Sequence, residues 1–192
     1  MPVTVSMYRL SLELAVDILS KRAYVVECEI DDKWENQFKP FWWLPLKEDM
    51  SDEVPRQISL GNDVSLALSI LTGEIRHPRD LDYYAEVSIP SNPLWWSIYG
   101  SRRVGWKDTD FPPYFYTLPT DYAAVDAALA EVSLREMIEN GEAHFNANPD
   151  FYKNPDRISL IRDGYVRSLR PILRGFYQAA AAENQVVLNR MA

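Results

Sequence analysis

Apolar and polar positions alternate with a period of two near the start of the chain. Val3, Val5 and Met7 interleave with Thr4, Ser6 and Tyr8, and Tyr24, Val26, Cys28 and Ile30 interleave with Val25, Glu27 and Glu29. This spacing predicts two half-buried strands, since successive side chains of a strand point to opposite faces. Between them, residues 11–21 fit two patterns. Leu10, Leu12, Leu14, Val16 and Ile18 continue the strand parity, while Leu12, Val16 and Leu19 share one helical face, and helix is the reading adopted.

Pro40, Pro45 and Pro55 break residues 31–55 into a long polar and aromatic excursion. A short helix follows over Val64–Leu71. Asn62 can cap it, its residues are apolar nearly all round, and Gly73 can close it in the left-handed conformation. Ala85, Val87 and Ile89 predict another strand, stopped by Pro90 and Pro93. Residues 94–117 read as loop or short strand.

Helical periodicity dominates the last third. Thr120 or Asp121 caps a helix carrying Tyr122, Val125, Leu129 and Val132, which Asn140-Gly141 ends. Asn154-Pro155-Asp156 places a cap, a first-turn proline and an acid at the start of a long final helix. Its apolar stripe is Ile158, Ile161, Tyr165, Leu169, Ile172, Phe176, Ala180 and Val187, and Pro171 should bend it. The expected fold is α+β: a small, mostly antiparallel sheet from the N-terminal half, packed by C-terminal helices. The 192 residues show no repeat and no Gly/Ser-rich boundary, so one domain over 1–192 is expected.

Composition narrows the partners. With 20 Lys and Arg against 28 Asp and Glu the net charge is -8, which opposes a phosphate backbone and makes nucleic acid an unlikely partner. A single Cys rules out an internal disulfide framework and suits a reducing compartment. The chain has no apolar run of bilayer length and no basic, apolar leader at its start, so a cytoplasmic protein, or a virion component assembled there, is expected.

Chemistry has few candidates. His77 and His144 are the two histidines, and neither has the spacing of a zinc site, although Glu142 and His144 could both reach one ion. A surface or loop histidine is the simpler reading of each. Glu27 and Glu29 share a strand face about 7 Å apart and, with Asp31, could serve acid-base or metal chemistry. A small metal-dependent hydrolase built on these acids and His77 is therefore a remote alternative. No nucleophile elbow or phosphate loop occurs, and no cofactor is implied.

Charge segregation carries more weight. Residues 27–53 hold nine acids against three lysines, a net of -6, whereas residues 157–190 hold six arginines against Asp163 and Glu183, a net of +4. Arginine favours planar, bidentate contacts at interfaces, and tryptophan anchors them. The expected partner-binding residues are Glu27, Glu29, Asp31, Asp32, Glu48, Asp49, Asp52 and Glu53 with Trp34, Trp42 and Trp43, and, facing outward on the last helix, Arg162, Arg170 and Arg174. Two faces of opposite sign could join identical copies head to tail or bind other subunits. A non-enzymatic subunit of a larger assembly, such as a bacteriophage head, neck or tail component, is the leading expectation. An immunity-type inhibitor that blocks a basic toxin through residues 27–53 is the alternative. The three aromatic clusters, around Trp42, Trp96 and Phe115, suit core packing or an interface.

Overall fold

The computed structural model describes residues 5–20, 57–60, 64–75, 91–103, 114–160 and 164–191. The strands expected at 24–30 and 85–89, and the excursion over 31–55, lie outside them. The described elements are β1 (Val5–Leu10), α1 (Leu12–Ser20), β2 (Gln57–Ser59), α2 (Val64–Thr72), α3 (Pro93–Tyr99), β3 (Arg102–Arg103) and β4 (Tyr114–Thr117). A 3-10 turn (Pro119–Asp121) then leads into α4 (Tyr122–Glu131), α5 (Leu134–Ala147), α6 (Pro155–Leu160), α7 (Val166–Ala182) and β5 (Val186–Met191).

The fold is α+β, as expected. The five strands form one antiparallel sheet in the order β2-β1-β5-β4-β3. Its membership differs from the expectation of an N-terminal sheet, because β3, β4 and β5 all come after residue 100. The central strand is β5, where the apolar stripe had carried the last helix through to Val187. The helix ends earlier because Asn184 takes a left-handed conformation, φ 50°. The Gln185 N–H then reaches back to the Ala180 carbonyl at 2.8 Å and the Asn184 N–H to that of Ala181 at 3.2 Å. That is a Schellman closure with Asn in the place glycine usually takes. Val186 and Val187 beyond it suit a pleated strand better than a helix.

The C-terminal helices are also more divided than expected. Ser133 separates α4 from α5: its Oγ accepts the Glu136 N–H at 3.1 Å, and the Glu136 carboxylate accepts the Ser133 N–H at 2.8 Å. This capping box opens a new helix, which then runs through Asn140-Gly141 instead of stopping there. Gly141 is buried where α5 meets its neighbours, and a Cβ there would lie 3.6 Å from Val166 and 3.7 Å from Ile70. Asn140 donates its amide to the Ile70 carbonyl at 3.1 Å. Nearer the C-terminus, α6 and α7 are described on either side of residues 161–163, and α7 accommodates Pro171 in its interior.

The main core lies between one face of the sheet and the helices. Val5, Met7, Ile58, Phe115 and Val187 meet Leu66 and Ile70 of α2, Ile98 of α3, Val125 and Leu129 of α4, and Leu169, Leu173 and Phe176 of α7. A smaller cluster on the opposite face joins Tyr8, Leu10, Tyr114, Val186 and Leu188 to Ala15 of α1. Every residue of β1 is therefore buried, the polar ones included, where alternation alone predicted one wet face. The two short helices are as expected: the ambiguous segment after β1 is helical, with Ser11 Oγ accepting the Leu14 N–H at its start, and α2 closes on Gly73 at φ 74°.

Candidate interaction surface

The α7 sequence sets two faces at different angles. Leu169, Leu173, Phe176 and Ala180 recur at three and four residues and point into the core, which turns Arg170 and Arg174 onto the flank beside α4. Arg174 grips Asp126 of α4 with two bonds, Nε to Oδ1 at 2.9 Å and Nη2 to Oδ2 at 3.1 Å. Gln178, one turn further on, adds an amide bond to Oδ1 at 2.8 Å. Arg170 donates to the Val132 carbonyl, just beyond the end of α4, a group the helix itself leaves unpaired. Both arginines are half-buried, with the Arg174 and Asp126 side chains each 34% exposed. They hold two helices of one chain together instead of standing outward, and of the three α7 arginines it is Arg167 that is exposed.

The charge states follow from these contacts. Hydrogen bonding from Arg174 holds the Asp126 carboxyl below its ordinary 3.8, helped by Gln178 and opposed by desolvation. At the sheet edge, Asp121 is bound by the Arg102 guanidinium and by the Ser101 hydroxyl at 2.6 Å. Desolvation works to raise the Asp121 carboxyl, but the bonds from Arg102 and Ser101 outweigh it and leave it below its usual value. Asp121, the residue before α4, thus has its charge met by Arg102 of β3.

His144 is neither a surface nor a loop residue. It lies on α5 with 0% exposure, its Nδ1 2.8 Å from Ser69 Oγ of α2 and its Nε2 3.1 Å from the Tyr152 hydroxyl. Ser69 also faces the carbonyls of Ser65 and Glu74, each at 2.9 Å. The Ser69 hydroxyl thus joins the His144 ring to two backbone carbonyls of its own segment. With Nδ1 on Ser69 and Nε2 on Tyr152, the imidazole pins α2 to α5. Among the described residues no group of three His, Cys, Asp or Glu side chains is placed to hold a metal ion.

The aromatic clusters divide. Trp95 and Tyr99 are buried with ring centroids 5.4 Å apart, and Tyr99 meets Phe115 edge-on at 6.1 Å, so these rings belong to the core. Trp96 is half-buried against them. Arg102, close in sequence to this cluster, is held by Asp121. Of the residues expected to bind a partner, Glu27, Glu29, Asp31, Asp32, Trp34, Trp42, Trp43, Glu48, Asp49, Asp52, Glu53 and Arg162 lie outside the described residues, as does His77.

Sequence reasoning missed Asp126 and the Ser69–His144–Tyr152 chain. A signal existed for the second. Ser65 and Ser69 stand one turn apart in a helix otherwise apolar all round, and hydroxyls in such a place must find partners. Asp126 gave no comparable sign, since an acid between Val125 and Ala127 in a helical run reads as a solvated position.

Comparison with known proteins yields a fold. No protein-family model matches the chain, and no curated protein matches it. Among solved structures it is similar to YfbM from Escherichia coli, a protein of unknown function. The likeness covers 98% of this chain and 99% of that one at a TM-score of 0.59, with 12% sequence identity. The two share a fold over their whole lengths. No helix among the described residues is long and apolar enough to cross a membrane.

Proposed function

We propose that this protein is a non-enzymatic binding subunit that engages a basic protein partner through the acidic, tryptophan-bearing segment 27–53. The observation that carries the reading is the placement of the α7 arginines. Arg174 is paired with Asp126 and Arg170 with the Val132 carbonyl, so both are engaged within the C-terminal helices, which leaves the segment's net -6 as the charge a partner would meet. An acidic surface with Trp34, Trp42 and Trp43 as apolar anchors suits a cationic protein, including the active site of a basic toxin that an immunity-type inhibitor would cover.

Steered association of this kind weakens as salt rises. The test is calorimetric titration of the full chain with the basic proteins encoded beside it, for the native sequence and for a Glu48→Gln, Asp49→Asn, Asp52→Asn, Glu53→Gln variant. The expected result is one-to-one binding, weakened at least ~10-fold by the substitutions, since each rim charge contributes a fraction of a kcal/mol and ~1.4 kcal/mol is a factor of ten. Equal affinity of the two chains would overturn the proposal. The second reading is an assembly subunit, a virion head, neck or tail component formed head to tail, whose outward arginine on α7 would be Arg167. Light scattering that shows copies associating over a concentration series would favour it.

A further inference from the structure

We draw no further inference here: the strongest candidate, the polar row that Ser59, Ser6, Arg190 and Tyr114 form by register across the sheet face opposite the main helices, is largely buried, and nothing among the described residues shows what covers it beyond the few contacts of α1.

Discussion

Tyr122 ties α4 to the ends of two strands through one hydroxyl. It accepts the Val187 N–H at 3.0 Å and gives its proton to the Gln185 carbonyl at 2.7 Å, with the Thr117 carbonyl 3.1 Å away. Burial pushes the phenol far above its ordinary value, so it stays protonated at any pH the fold survives. Tyr122→Phe leaves these buried groups without their partner and is expected to cost about 1–3 kcal/mol in urea unfolding. His144→Phe removes the buried bonds that Ser69 and Tyr152 make to the ring, and a loss of about 1–3 kcal/mol is expected by the same measurement. Asp126 gives a pH dependence of definite sign. Its carboxyl is lowered in the folded protein, so the Arg174 pair stabilises at neutral pH and the benefit is lost as pH falls below the ordinary 3.8 toward the folded value. Asp126→Asn should therefore unfold earlier than the native chain at pH 7, and the gap should close in acid. At this scale the sequence revealed little, because neither His144 nor Asp126 differs in pattern from residues that simply face water.

Helix boundaries were legible where the stop or start is glycine or a cap followed by an apolar run. α2 shows this, with every residue from Val64 to Leu71 buried and Gly73 left-handed behind it. They were misread where one local signal outweighed another. Asn140-Gly141 resembles a helix end, yet the Ser133–Glu136 box eight residues earlier makes the real break, and packing against Ile70 and Val166 uses the glycine. Ser133→Ala is expected to cost about 1 kcal/mol and to fray the first turn of α5, seen as faster amide exchange there. Gly100 tolerates less. At φ 92° a Cβ would sit 2.9 Å from the Tyr116 backbone nitrogen, so Gly100→Ala must displace α3 from β4 and is expected to lower the melting temperature more than Ser133→Ala does.

At the scale of the molecule, class was readable and connectivity was not. Alternation at Val5 and Met7, followed by long helical periods, is enough for α+β. What it cannot convey is that β5 fills the centre, since Val187 continues the spacing of the α7 stripe and six residues are too few to announce a strand against seventeen of helix. Pairing with both β1 and β4 makes β5 the member the sheet cannot lose. A chain shortened before Val186 is expected to lose cooperative unfolding altogether, in contrast to the graded losses of the single substitutions.

The partnership of Val5 with Met191 and of Leu10 with Val186 also sets an order of events during synthesis. As the polypeptide emerges from the ribosome, β1 can meet β2 early but must wait until residues 186–191 are made before its other neighbour, β5, exists. Contacts so far apart along the chain close slowly. Nascent β1 therefore spends that interval with its β5 edge bare and open to aggregation or to a chaperone, and the native sheet assembles only after β5 is made.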